Sequence, residues 1–211
     1  MDNPGHVWHS DAVTPAVKQV LSVLGKQKIT RSFYLAGGTA LALHVGHRRS
    51  VDLDLFTANM FDEEQLLSRL QLQTGLSVVS RDYQTLHLHI DGVKVSFLGY
   101  AYTVLFPFMR LSGIDVADPR DIACMKISAI AGRGTRRDFI DLYVAARKYG
   151  LKRLLELFQK KYERANYNPV HILKSLTYFA DAEREPNPDL LIPLTWDEVA
   201  QFFREEVPRL S

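Results

Sequence analysis

One stretch of this chain, Leu35 to Phe56, restricts its fold more than any other. Phe33-Tyr34-Leu35-Ala36 is an apolar run of strand length, and Gly37-Gly38-Thr39 breaks it. Ala40 to Val45 reads as a short helix stopped at Gly46. Ser50 to Phe56 then alternates, with Val51, Leu53 and Leu55 on one face and Asp52, Asp54 and Phe56 on the other, which is the period of a strand. Two glycines let a backbone approach a ligand closely. The helix N-terminus behind them offers N–H groups and partial positive charge, so the turn can cradle a phosphate. Thr39 is placed to cap that helix and to donate to a phosphate oxygen. Asp52 and Asp54 point to the same side of their strand, and two close carboxylates repel unless a cation lies between them. A divalent ion such as Mg²⁺, which takes one or two carboxylates plus substrate phosphates, meets that need. The combination points to metal-assisted phosphoryl or nucleotidyl transfer. His47, Arg48 and Arg49 stand just before the pair, where they could neutralise a triphosphate.

The surroundings of this segment are mixed α and β. Residues 13–25 predict a helix with Val13, Val17, Val20, Leu21 and Leu24 on one stripe and Gly25 at its end. Residues 62–73 read as helical and Leu76–Val79 as a strand. Thr85–Ile90 and Val93–Leu98 alternate around Asp91-Gly92, a strong hairpin signal. Beyond residue 118 the pattern turns helical. Asp118-Pro119 with Asp121 resembles an N-cap, a proline at N1 and an acidic N3, opening a helix to about Ala131. Gly132-Arg133-Gly134 interrupts, and a second helix runs from Arg136 to Tyr149. Further helices fit residues 151–164, 169–183 and 196–206, the last opened by the capping box Thr195-Trp196-Asp197-Glu198. The fold class expected is α+β: a mixed sheet with flanking helices over residues 1–115, then an all-helical region over 116–211.

Composition narrows the setting. With 211 residues, 46% of them hydrophobic and 24% charged, the chain can bury a core without staples. A single cysteine, Cys124, excludes an internal disulfide framework and a cysteine-rich zinc site, and it reads as a buried small hydrophobe. The net charge of +2 does not mark a strong nucleic-acid binder, although Arg133, Arg136 and Arg137 form a local basic cluster. No apolar stretch approaches a membrane span and the first ten residues lack a signal-peptide pattern, so the expected location is cytoplasmic. His87 and His89 alternate on one strand face with no third ligand at useful spacing. Tyr100, Tyr102, Phe106 and Phe108 read as core, and Trp196 as packing for the last helix.

Two motifs together, Gly37-Gly38-Thr39-Ala40-Leu41-Ala42-Leu43 and His47-Arg48-Arg49-Ser50-Val51-Asp52-Leu53-Asp54-Leu55-Phe56, resemble the first two motifs of the AbiEii/AbiGii toxin family. That family belongs to the nucleotidyltransferase superfamily of DNA polymerase beta type. Lys126, followed by Arg137-Asp138-Phe139-Ile140-Asp141-Leu142-Tyr143, is similar to the family's lysine and Arg-Asp-x-x-Asp motifs. The resemblance spans about residues 30–147. It implies a nucleotidyltransferase-like sheet completed by a helical region. It implies NTP binding at Gly37, Gly38 and Thr39, with Arg48, Arg49 and Ser50 alongside, and Mg²⁺ or Mn²⁺ on Asp52 and Asp54. It further implies that Lys126 contacts the nucleotide phosphates and that Asp138 or Asp141 acts near the acceptor. An RNA acceptor such as the 3′ end of tRNA, a toxin role and a separate antitoxin protein are part of the same implication.

The residues themselves are compatible with those roles and with plainer ones. Asp138 and Asp141 share a helical face, and Arg137 could pair with Asp141 as part of a surface cluster. Lys126 lies in a mostly apolar helix and could simply snorkel. The superfamily commonly carries a third carboxylate on a following strand, and there this chain has Ser96, between Lys94 and Leu98. Serine neither bridges metals nor acts as a strong base. Two readings follow: an active nucleotidyltransferase that draws its acid from elsewhere, or a non-catalytic relative that binds nucleotide, RNA or a protein. An aspartyl phosphotransferase fits poorly, because Leu55-Phe56 follow the aspartates where a small residue is expected.

Overall fold

A computed structural model describes residues 6–70 and 75–210. The chain divides into two compact units, one of Met1–Thr103 with Pro107–Asp118, the other of Val104–Phe106 with Pro119–Ser211.

The first unit is built on a seven-stranded mixed sheet. Its strands are β1 (Tyr34–Ala36), β2 (Leu53–Thr57), β3 (Leu76–Asp82), β4 (Thr85–Ile90), β5 (Val93–Gly99), β6 (Met109–Leu111) and β7 (Ile114–Val116). Their order across the sheet is β3-β4-β5-β2-β1-β7-β6. β2 lies antiparallel to β1 and parallel to β5, which puts the aspartate strand at the centre. The β4–β5 hairpin forms where Asp91-Gly92 predicts it, with both residues at positive φ (48° and 78°), as a type I′ turn demands. Leu53, Leu55, Leu86, Leu88, Val95 and Phe97 are fully buried on one face. The register partners on the other face are Asp54, Ser96 and His87 in one row and Phe56 and Leu98 in the next.

α1 (Pro15–Lys26) buries Val17, Val20, Leu21 and Leu24, the predicted stripe, and Thr14 caps it by accepting from Val17 N–H at 3.3 Å. Two details differ from expectation. Val13 precedes the helix and bridges Ser50 in parallel, with Ser50 N–H donating to Ala12 C=O. Gly25 does not end the helix; a Cβ there would lie 1.8 Å from the Ser112 carbonyl oxygen, so it is a close-packing glycine against the β6–β7 turn. α3 (Glu63–Leu70) covers the first part of the predicted 62–73 helix, and residues 71–73 lie outside the described ones.

The second unit is helical: α4 (Pro119–Gly132), α5 (Arg136–Tyr149), α6 (Leu151–Lys161), α7 (Pro169–Ser175) and α8 (Trp196–Glu206). α4 is buried on nearly every side. α5 starts at an N-cap, Thr135, and stops at Gly150. α7 ends at Ser175, well short of residue 183, and a turn and a short 3₁₀ segment (Ala182–Arg184) follow. The capping box of α8 is present, and Trp196 packs on Phe139 and Phe179 at ring distances of 5.9 Å each. Among the described residues, no helix is long and apolar enough to cross a membrane.

Candidate active site

The glycine turn and the carboxylate pair meet in the first unit. α2 (Gly37–Val45) begins directly at the end of β1 and is apolar all round, so the fold buries it whole from Thr39 to His44. Gly37 has φ +69°, and a Cβ on it would stand 3.1 Å from Asp54 Oδ2. The positive φ calls for glycine there, and a Cβ would press the Asp54 carboxylate aside by a few tenths of an ångström. The first turn of α2, whose N–H groups have no intrahelical acceptors, therefore opens beside the Asp54 carboxylate. Gly46 closes the helix in the left-handed conformation, its N–H bonding to Ala42 C=O at 2.7 Å.

Thr39 does not cap the helix. Ala36 holds the N-cap position, and Thr39 lies within the first turn. Its hydroxyl donates to the Asp52 carbonyl and lies 2.7 Å from Ser50 Oγ. Thr39 thus ties the start of α2 to the backbone that carries Asp52. This tie and the Val13–Ser50 bridge delay β2, which begins at Leu53, and leave Val51 54% exposed instead of facing inward with Leu53 and Leu55. Asp52 and Asp54 are both half-buried. Arg48 is buried and donates to the Arg49 carbonyl at 3.1 Å, so of the two arginines Arg49 is the exposed one.

Ser96 is the register partner of Asp54 on β5, so the residue beside the aspartate on the next strand is a serine. It is buried, and its Oγ lies 3.0 Å from His87 Nδ1. Sequence reasoning found Ser96 but missed this partner; the alternation of β4 against β5 contained the signal. The sheet continues past Asp54 into aromatic rings. Phe56 meets Tyr34 and Tyr100 at 6.1 and 5.4 Å, and Tyr34 stacks on Phe108 at 4.8 Å. Tyr102 and Phe108, expected in the core, are 40% and 38% exposed, because the chain around them runs outside the regular strands.

The aspartate pair fits a hard divalent ion. Asp54 stands on β2 and Asp52 just before it, backbone without a Cβ adjoins Asp54, and the helix start beside it supplies phosphate-binding N–H groups. Among the described residues, no group of three or more His, Cys, Asp or Glu side chains is placed to hold a metal. An ion here would thus complete its shell with water and substrate oxygens.

Lys126, Asp138 and Asp141 come together in the helical unit. Lys126 Nζ lies 2.7 Å from Asp138 Oδ1 and 2.7 Å from Asp141 Oδ2, and all three side chains are buried. Snorkelling and a surface cluster are both overturned: the lysine is an internal counter-ion for two carboxylates one helical turn apart. Thr135 donates to Asp138 Oδ2 at 2.6 Å, and Arg133 Nε adds a contact at 3.1 Å. Burial would raise the Asp138 carboxyl, but Lys126, Thr135 and Arg133 outweigh it and hold the group below the usual carboxylate range. Lys126 is likewise held charged: burial disfavours its charge, and Asp141 and Asp138 more than compensate. A second internal pair was not foreseen. Asp121, expected to serve the N-terminus of α4, instead accepts from Lys161 Nζ at 2.8 Å and from the N–H groups of Leu105 and Phe106 at 3.1 and 3.0 Å. Cys124 beside it is buried, and burial together with the Asp121 charge pushes its thiol up to about 12.

This sheet, with a glycine turn and aspartate strand at its centre, defines a nucleotidyltransferase fold. MenT4, a nucleotidyltransferase toxin from Mycobacterium tuberculosis H37Rv, superposes with a TM-score of 0.59 at 18% identity, over 92% of this chain and 85% of that one. JHP933 from Helicobacter pylori gives 0.51 at 16% identity, over 95% and 92%. The sequence profile of the family described as nucleotidyl transferase AbiEii toxin, type IV toxin–antitoxin system, matches residues 19–209, and the chain belongs to that family. It is also 40% identical over 185 residues to the uncharacterized protein aq_aa25 of Aquifex aeolicus, covering 85% of this chain and 88% of that one.

Proposed function

We propose that the protein is a metal-dependent nucleotidyltransferase that moves a nucleoside monophosphate from an NTP to a polynucleotide acceptor, with RNA as the first candidate. The carrying observation is the approach of Gly37 to Asp54 at the mouth of α2, which supports a phosphate cradle beside a metal-binding carboxylate. Asp52 and Asp54 would hold Mg²⁺ or Mn²⁺, which when bound polarises the α-phosphate and lowers the charge repulsion to attack. Gly37 and Gly38 present backbone to the triphosphate. Thr39 and Ser50 keep the Asp52 backbone against that turn, and Arg49 supplies an exposed cation. The acceptor oxygen forms a bond to the α-phosphorus as the bond to the β-phosphate oxygen breaks, and pyrophosphate leaves. Lys126, neutralised by Asp138 and Asp141, serves as their internal counter-ion. Asp138, held ionised and already engaged, suits positioning of Lys126 better than proton abstraction. The family's toxin character supports a toxic activity countered by a separate antitoxin protein.

A second reading rests on Ser96. With no third carboxylate in the Asp54 row, the fold could bind nucleotide without turning it over. One experiment separates the two. Full-length protein is incubated with Mg²⁺, each α-labelled NTP in turn and total cellular RNA, beside Asp54→Asn. Label on RNA that the variant loses supports the enzyme. NTP binding by the wild type with no label transferred to any fraction supports the non-catalytic reading.

A further inference from the structure

Within the helical unit the charge is unevenly spread: residues 119–174 are basic, while residues 175–211 hold 3 Lys and Arg against 8 Asp and Glu. Between residues 119 and 174 there are 13 Lys and Arg against 5 Asp and Glu. Three of the five acids, Asp121, Asp138 and Asp141, are buried and paired internally with Lys161 and Lys126. From residues 119–174, what reaches the surface is nine exposed cations, Arg133 and Lys174 among them, against two exposed acids, Glu156 and Glu163. Such a surface attracts polyanions.

An open groove of about 340 Å³ lies within this unit, between the last turn of α4 and α7 with the turn that follows it. Its chemistry is more specific than a basic patch. Arg133 contributes Nε to Asp138 while its side chain remains 68% exposed, and its terminal nitrogens make no hydrogen bond among the described residues. Lys174 is exposed and has no ion pair among them. His171 donates from Nε2 to the Ala131 carbonyl at 3.1 Å, which fixes its ring against the end of α4. Tyr178 is 62% exposed, and its ring packs on no other aromatic among the described residues. A Cβ on Gly132 would meet nothing within 4 Å, so the backbone there is open to a ligand. Asp181 adds one carboxylate.

We propose that this groove holds one unpaired nucleotide of an RNA strand. Arg133 and Lys174 take the flanking phosphates, the Tyr178 ring takes the face of the base, and Asp181 accepts from a ribose hydroxyl or a base amino group. Two cations with an exposed ring and one acceptor match a nucleotide unit, which carries anionic, π-faced and hydrogen-bond-donating parts. A plain polyanion such as an acidic peptide leaves the ring unused and meets Asp181 as a repulsive charge. The assignment rests on the polynucleotide acceptor proposed above and names where that strand is gripped on the helical unit.

The test is binding, independent of transfer. A labelled twelve-nucleotide single-stranded RNA is titrated with the full-length protein by fluorescence anisotropy across a salt series. Lys174→Gln should weaken binding and flatten the slope of log K against log salt by about 0.7, the share of one phosphate on a single strand. Tyr178→Ala should weaken binding about five-fold or more at unchanged slope, and Tyr178→Phe should retain it. Gly132→Glu, which puts a carboxylate into open space, should weaken it without unfolding, as Trp196 emission will show. If these variants are folded and bind RNA with wild-type affinity and slope, or if polyglutamate of equal charge displaces the RNA as well as unlabelled RNA does, the groove assignment is overturned. Absence of measurable RNA binding by the wild type overturns it too. Asp54→Asn separates the two proposals: it should bind RNA normally while losing transfer. An inactive wild type that still binds RNA through Lys174 and Tyr178 removes the enzyme reading and leaves the groove.

Discussion

Replacing Lys126 by methionine should cost the helical unit most of its stability margin at neutral pH. The lysine side chain is 9% exposed, and its partners Asp138 and Asp141 are 1% and 0% exposed. Methionine fills a similar volume but leaves two carboxylates one helical turn apart, with Arg133 the remaining cation on Asp138. Breaking a buried pair in this way costs about 3–5 kcal/mol. With a urea dependence of about 2 kcal/mol per molar, the unfolding midpoint falls by roughly 2 M. The pH dependence gives a sharper check. In the wild type the Asp138 carboxyl lies below its ordinary value, so its stabilisation is present above the unfolded carboxylate range and fades only as pH falls through the lowered folded value. Lys126 is raised, so its share is present throughout that range and is lost only at strongly alkaline pH. In Lys126→Met, burial acts on Asp138 with only Thr135 and Arg133 to oppose it, so its folded value moves up. The penalty is then largest at pH 7 and shrinks as this carboxyl protonates toward about pH 4.5. Trp196, packed on Phe139 and Phe179, reports this unit if Trp8 is replaced by phenylalanine in both proteins. Equal midpoints at pH 7, or a difference that stays flat down to pH 4.5, would refute the counter-ion role. Adding Asp138→Asn and Asp141→Asn to Lys126→Met should restore much of the midpoint.

Three further outcomes follow from single contacts. Gly37→Ala must adopt φ +69° and crowd Asp54 Oδ2; it should lose about 1–2 kcal/mol in a thermal melt and weaken Mn²⁺ binding, whereas Gly38→Ala should disturb the metal less. Gly25→Ala drives a methyl into the Ser112 carbonyl at 1.8 Å, and a melt should register a loss of about 1–3 kcal/mol or more, with wild-type stability counting against the close packing. Cys124, buried with its thiol pushed up to about 12, should react with a thiol reagent at pH 8 only as fast as the helical unit opens. Immediate labelling of the native protein would contradict that.

Much of this architecture was legible because local periodicity and tertiary environment agree. The hairpin at Asp91-Gly92, the buried stripe of α1 and the capping box of α8 each depend on neighbours within a few residues. Residues whose roles depend on distant partners were misread. Gly25 has the appearance of a helix stop, yet its function is set by Ser112, and the short β6 and β7 that place Ser112 carry too few residues to show a period. Val51 continues an alternating pattern into a stretch that two tertiary ties, Val13 to Ser50 and Thr39 to Asp52, hold outside the strand. Lys126 in an apolar helix is locally a snorkelling residue. Only the packing of α4 on α5 supplies the two carboxylates that let it remain charged inside.

The two aspartate pairs show why motif spacing identifies a candidate site more securely than it assigns chemistry. Asp52 and Asp54 are spaced by two, the period that sets two side chains on one face of a strand, and Asp138 and Asp141 by three, which sets two on one face of a helix; in the fold Asp52 lies just before β2. The second pair has a resident cation: Lys126 bridges both members, and burial leaves little room for an incoming ion. The first pair stands half-buried beside a glycine whose missing Cβ leaves space at Asp54 Oδ2 and beside a helix start that favours anions. A divalent ion accompanied by a triphosphate therefore gains far more at the first pair than at the second. Sequence alone assigns the metal to Asp52 and Asp54 and an acceptor role to Asp138 or Asp141, without showing what each pair touches. The protein fills the second pair with a resident lysine, which makes the Asp138–Lys126–Asp141 cluster a fixed charge arrangement; Asp52 and Asp54 are the proposed metal ligands.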